Sequence, residues 1–247
     1  MTTLRLVRFL ARAGVSSRRG GGDLVAAGRV RLNGAPPRGP GDPVDPDKDR
    51  VTLDGRLLRL PAAAWILLNK PPGTVTSREA TERHPSVFDL VRGVPDSLMA
   101  VGRLDVMSEG LLLFTTDGDL AARLMHPRWH VPRTYRVAVT GRMTPAHAAS
   151  LDRGVHLPDE ERPAKPVQWR FEPRGKDGVL ELVLAEGRSR VVRRLCAALG
   201  LGVKSLTRIA YGPITLGVLA RGTARPLSAR EREALYRSVE LEPPAAA

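Results

Sequence analysis

Gly102-Arg103-Leu104-Asp105-Val106-Met107-Ser108-Glu109-Gly110 runs directly into Leu111-Leu112-Leu113-Phe114. A short polar loop is thereby joined to an apolar run of strand length, and one carboxylate, Asp105, stands just ahead of that strand. No second carboxylate lies beside it at the spacing of an acid pair, and no metal-ligand cluster surrounds it. A lone Asp is a poor base in water, with an ordinary pKa of about 3.9. In a partly desolvated pocket, kept ionised by an Arg, it becomes a nucleophile or a local base. Turns are also rich in Asp, so spacing alone leaves a structural turn residue as the simpler alternative.

The rest of the chain narrows the choice. Lys and Arg number 39 against 26 Asp and Glu, a net charge of +13 over 247 residues. A balance this basic points to a nucleic-acid partner, because Lys and Arg displace condensed counterions from phosphates. An Arg-rich background composition contributes to the same number. Aromatic residues make up only 4%, too few for a broad stacking platform on single strands. The one cysteine, Cys196, excludes an internal disulfide framework and reads as a small buried hydrophobe. No apolar run reaches membrane-spanning length, and the N-terminus lacks the pattern of a secretory signal, so a cytoplasmic protein is expected. His126 and His130 are interrupted by Pro127, and His147 and His156 have no partners at metal spacing, so no metal site is expected.

Outward from the central loop, alternation and breakers divide the chain. Leu4, Leu6, Val7, Leu10 and Ala11 suit one face of a short helix that Gly14 stops. Ser16 and Ser17 can cap a second helix reaching residues 26–27, with Gly28 as its end. Residues 29–34 alternate as a strand into a turn, 35–49 read as loop, and 51–55 as strand and turn. A linker falls near residues 61–64. Beyond it, strands are expected at 65–69, 111–115, 134–139 and 179–184, and helices at 119–125, 189–199 and 228–236. Strands interleaved with few helices make an α+β protein with a mixed, largely antiparallel sheet. Arg5, Arg8, Arg18, Arg19, Arg29 and Arg31 can form one basic face for structured RNA.

Several motifs in order carry a more specific likeness. Leu10-Ala11-Arg12-Ala13-Gly14-Val15-Ser16-Ser17-Arg18-Arg19 and Ala27-Gly28-Arg29-Val30-Arg31-Leu32-Asn33-Gly34 resemble an S4 RNA-binding domain. Leu68-Asn69-Lys70-Pro71-Pro72-Gly73, Gly102-Arg103-Leu104-Asp105, Thr116-Asp117-Gly118, Thr134-Tyr135, Glu186-Gly187-Arg188 with Arg193-Arg194, and Leu206-Thr207-Arg208 resemble the RsuA/RluB/RluE/RluF family of pseudouridine synthases. The resemblance implies a small S4 domain over residues 1–60, a catalytic domain over 61–240 and a tail over 241–247. It also implies isomerisation of a uridine in ribosomal RNA or a pre-ribosomal particle, with no cofactor and no metal. The target base must leave its stack.

By that resemblance Asp105 is the catalytic carboxylate. It attacks sugar or base, or takes a ribose proton, and the sequence does not choose. Tyr135 stacks on the flipped base, Arg193 pairs with Asp105, and Leu206 lines the base pocket. Arg103, Arg188 and Arg208 are expected against the substrate. Lys70 is a candidate for RNA contact or for a structural turn. Two departures stand out: Val191 replaces the family's usual Gln, and Gly20-Gly21-Gly22 falls in a helix, where each interior Gly costs about 1 kcal/mol against Ala. The second helix is therefore expected to start late or fray. The residues 109–115 and the pair His126-Pro127 look nearest to the large-subunit rRNA branch. Small-subunit rRNA is the alternative, and a non-catalytic ribosome-assembly factor is the rival from another class. Monomer is the default.

Overall fold

The computed structural model describes residues 3–158 and 160–243, the Arg18 side chain excepted. The N-terminal part contains β1 (Leu4–Arg5), α1 (Leu6–Arg12), α2 (Arg18–Ala26), β2 (Val30–Leu32), β3 (Pro43–Val44), β4 (Val51–Leu53) and β5 (Arg56–Leu57). Leu6, Phe9 and Leu10 of α1 bury against Val30, Val44 and Val51. The first helix begins later than its apolar face suggests. Leu4 and Arg5 pair with Val44 and Pro43, so a segment expected as loop supplies a strand edge. The second helix starts at Arg18 in spite of its glycines. The Ser17 hydroxyl accepts the Gly20 N–H at 3.0 Å and caps it. A Cβ on Gly21 would stand 3.2 Å from Ser16 Oγ and 3.4 Å from Val7, so the missing side chain lets α2 lie close on α1.

The second part contains β6 (Trp65–Lys70), β7 (Met99–Val101), β8 (Glu109–Thr115), α3 (Gly118–Met125), β9 (Arg133–Thr140), α4 (Pro145–Arg153), β10 (Gln168–Arg174) and β11 (Asp177–Leu184). It continues through α5 (Val191–Ala198), β12 (Gly202–Tyr211), β13 (Ile214–Thr215), β14 (Ala224–Pro226) and α6 (Ala229–Arg237). One sheet runs β10-β11-β9-β12-β8-β6-β14, with β13 on β12 and β7 on β8. Among the described strands only β8 and β12 pair in parallel. The fold is thus α+β with a mixed, mostly antiparallel sheet.

Burial explains the two strand patterns. Central β8 is buried at every position. Leu112 and Phe114 enter one core with α5, and Leu111 and Leu113 enter another with α3 and α6. A strand covered on both faces reads as a continuous apolar run. In β9 and β11 one face is covered, so Arg133, Tyr135, Val137 and Val139 are buried in alternation. Cys196 lies in the first of these cores, and burial pushes its thiol up to about 12. Among the described residues no helix is long and apolar enough to cross a membrane.

Sequence periodicity missed β12, the strand that joins the two halves of the sheet. Register shifts between Val203 and Ser205 and between Arg208 and Ala210 break its period of two. The parallel contact of β8 and β12 also needs Gly110, which has φ +100. A Cβ there would sit 2.3 Å from the Arg208 carbonyl oxygen. Gly110→Ala is therefore expected to cost at least about 3 kcal/mol of stability, from strain and overpacking together. Urea unfolding measures it, and an unchanged midpoint would mean that the two strands separate at little cost.

Candidate active site

A cleft of about 700 Å³ opens where the loop ahead of β8 meets the start of α5. Gly102 to Asp105 form one wall, and Gly187 to Val192 the opposite one. Arg190 has left-handed backbone, φ 51, which turns the chain into α5 along that wall. The floor comes from the sheet: Arg133 and Tyr135 of β9, and Leu206, Arg208 and Tyr211 of β12. Arg208 stands directly across the strand pair from Tyr135, and Leu206 across from Val137.

The Asp105 carboxylate is exposed in this cleft, and the backbone beneath it is fixed. Every carbonyl from Leu104 to Ser108 has a donor. The Thr76 hydroxyl donates to Leu104 O at 3.0 Å, and the Ser108 N–H to Asp105 O at 2.9 Å. The Gly73 N–H donates to Val106 O at 2.8 Å, and Arg193 Nη2 to Met107 O at 3.1 Å. Lys70 completes the set from below. Its Nζ donates to Val106 O at 3.1 Å, Ser108 O at 2.8 Å and Pro71 O at 3.1 Å. Lys70 is fully buried, and burial brings its pKa down to about 8 against the opposing pull of Asp105 and Glu109. An exposed carboxylate on so constrained a loop can meet a ligand at small reorganisation cost.

Comparison with known proteins places the chain in a family. The RNA pseudouridylate synthase family matches residues 64–198, more than half of the chain, and the S4 domain family matches residues 4–51. The chain belongs to the RNA pseudouridylate synthases. An uncharacterized RNA pseudouridine synthase of Aquifex aeolicus is 37% identical over 244 residues, 98% of this chain and 97% of its own length. Ribosomal large subunit pseudouridine synthase B of Pseudomonas aeruginosa is 40% identical over 246 residues, 97% of this chain; the chain spans 63% of that protein's length. A crystal structure of pseudouridylate synthase aligns with a TM-score of 0.66 at 30% identity, over 94% of this chain and 99% of that one. The protein is a pseudouridine synthase, an isomerase of uridine in RNA.

Against this synthase fold, the residues singled out in the sequence sort into distinct places. Asp105, Tyr135, Leu206, Arg103, Arg188 and Arg208 all line the cleft. Arg193 reaches the Asp105 loop, but at the Met107 carbonyl; among the described residues it forms no ion pair with Asp105. Lys70 is not an RNA contact, because its ammonium is sealed under the loop with all three protons used. Arg188 is committed to protein partners. It binds both oxygens of Glu186, Glu160 Oε2 at 3.3 Å, and the carbonyls of Arg162 and Pro163. That web strengthens its hold on its proton, led by Glu186, and ties residues 160–163 to the cleft wall. Arg133 and Tyr211 were not singled out. A period of two from Tyr135 would have pointed to Arg133.

In the N-terminal domain, Arg8 bridges to Asp119 at the first turn of α3, so it joins the two domains. Arg29 pairs with Asp54 through two bonds of 3.0 and 2.5 Å. Arg5, Arg19 and Arg31 are exposed, and the Arg18 side chain lies outside the described residues. His126 and His147 act locally: each ring accepts a backbone N–H, from Arg128 and Thr144.

Proposed function

We propose that this pseudouridine synthase acts on large-subunit ribosomal RNA, with Asp105 as its catalytic carboxylate. The observation that carries the site is the convergence of Asp105, Tyr135 and Leu206 on one cleft over a loop whose carbonyls all have donors. The relatives named for the large subunit support the substrate. In this reading the flipped uracil stacks on Tyr135 and packs against Leu206, while Arg103 at the exposed wall meets the RNA backbone. Arg193 positions the loop through Met107. Residues 1–60 dock the RNA, 61–240 perform the isomerisation and 241–247 are a tail. The enzyme works in the cytoplasm as a monomer, without metal or cofactor.

Deleting the gene and mapping carbodiimide-reactive pseudouridines in both rRNAs tests the substrate. One large-subunit site is expected to vanish and to return with the wild-type gene but not with Asp105→Asn. Loss of a small-subunit site instead would reassign the target, and an unchanged map would remove rRNA as substrate.

The S4 contribution has its own test. Arg5, Arg19 and Arg31 are exposed cations of that domain on the expected RNA face, so the triple Ala variant is expected to weaken RNA binding at least about tenfold at moderate salt. It should also lower the slope of log affinity against log salt by about two. Filter binding over a salt series measures both, and an unaltered slope would move the RNA footprint off this domain.

A further inference from the structure

The floor of the cleft holds an electrostatic imbalance. Arg208 is 2% exposed and Arg133 is 9% exposed. Among the described residues no carboxylate pairs with either one. Their guanidinium carbons lie 5.1 and 4.9 Å from the ring centre of the same buried Tyr211. Arg208 donates from Nε to Leu111 O at 2.8 Å, and Arg133 donates from Nη2 to the Tyr211 hydroxyl at 3.0 Å. Arg208 Nη2 is buried with no acceptor at all. Ring and carbonyl dipoles offset part of this charge, but buried cations ordinarily require an anion.

We infer that Arg133 and Arg208 form a cationic floor that stabilises the uracil anion released when the glycosidic bond breaks. This rests on the proposed placement of the target uridine in this cleft. A flipped nucleotide enters base first and leaves its phosphates at the solvent edge, so the floor meets the base. Arg208 stands beside Tyr135, the stacking residue of that placement.

Breaking the bond from C1′ to N1 sends the bonding pair to N1 and spreads a negative charge over N1, O2 and O4. The electron deficit at C1′ is met by Asp105, through a bond to its carboxylate or through transfer of a ribose proton to it. The new bond from C5 to C1′ takes a pair from the uracil ring and returns Asp105 to its starting state. The C5 proton then leaves and N1 gains one, so the sum is an isomerisation. Two fixed cations facing the transient anion favour that state over the neutral base, which is the condition for raising turnover and not merely binding.

The test uses the full chain, an unmodified large-subunit rRNA transcript and the same transcript carrying 5-fluorouridine. Fluorine withdraws electrons and makes the uracil anion less dependent on the protein. Arg208→Met is expected to slow single-turnover cleavage of the glycosidic bond by about 100-fold on uridine RNA, the scale of losing one preorganised donor. The loss should shrink to about tenfold or less on the fluorinated RNA. RNA affinity should stay within about threefold, and the melting temperature should change little, because relief of an uncompensated buried charge offsets the donor lost at Leu111 O. Arg208→Lys, which keeps the charge, should retain at least about a tenth of the wild-type rate. Equal losses on both RNAs would overturn the inference. So would weakened affinity with a reduced salt slope, the mark of a phosphate anchor, or a fall in melting temperature that tracks the rate. Wild-type inactivity on the uridine transcript, or an active Asp105→Asn variant, would instead strike the underlying placement and is read separately.

Discussion

Asp105→Asn is expected to abolish pseudouridine formation while leaving the protein folded and RNA-competent. The turnover loss should be at least about 1,000-fold, equivalent to about 4 kcal/mol of transition-state stabilisation. The reason is chemical: whether the carboxylate attacks the sugar or the base or takes a ribose proton, the exchange of a C–N for a C–C link uses its anionic oxygen, and a neutral amide supplies none. Stability should change by less than about 0.5 kcal/mol, because the side chain is exposed and Thr76, Gly73, Arg193 and Lys70 hold the loop through its backbone. RNA affinity should stay within about threefold, since removing a negative charge from the protein does not weaken its attraction for a polyanion. Single-turnover assays on unmodified rRNA, filter binding and thermal melting separate the three quantities. A variant that keeps its rate would end the assignment of Asp105 as the catalytic carboxylate. A large loss of affinity or stability would make Asp105 a structural turn residue.

How much of this was legible beforehand follows from the distances in sequence over which each contact acts. The apolar run after Asp105 announced a central strand, because Leu111 to Phe114 bury on both faces and hardly any surface position tolerates that pattern. The alternation around Tyr135 likewise placed its strand. The bulged β12 was hidden, since two register shifts erase the period that marks a strand. Side-chain partners far along the chain were hidden as well. Arg188 has Glu186 two residues away, but folding also brings up Glu160, 28 residues away, and the carbonyls of Arg162 and Pro163. Lys70 looks like a turn cation because its acceptors are backbone carbonyls of Val106 and Ser108, which leave no trace in residue type. Arg8 and Arg29 read as one basic face, yet each meets a carboxylate that only the fold supplies. The motif resemblance correctly named the family, but it did not distinguish residues that face the cleft from residues that hold it.

Lys70 makes the second large prediction, because it supports Asp105 without touching the substrate. Lys70→Met fills similar volume but leaves Ser108 O and Pro71 O without the donor they now have. A buried unmet acceptor costs about 1–3 kcal/mol, and the loop is expected to shift to relieve it. A displacement near 1 Å at the reacting groups is enough for a loss of about 100-fold in turnover. The same logic gives a pH signature. The folded pKa of Lys70 is brought down to about 8 by burial, against an ordinary value of 10.5. As pH rises through about 8 the ammonium becomes an amine with two N–H groups for three carbonyls, so turnover should fall on the alkaline side. Global stability should move the other way. Between about pH 8 and 10.5 the unfolded chain binds the Lys70 proton and the folded chain does not, and stability from this group rises with pH in that window. Single-turnover rates from pH 6 to 10, set beside thermal melts at each pH, therefore carry opposite trends if Lys70 holds the loop. Rates that stay level to pH 9.5, or that fall only where the protein melts, would show that the Asp105 loop keeps its geometry without the third hydrogen bond.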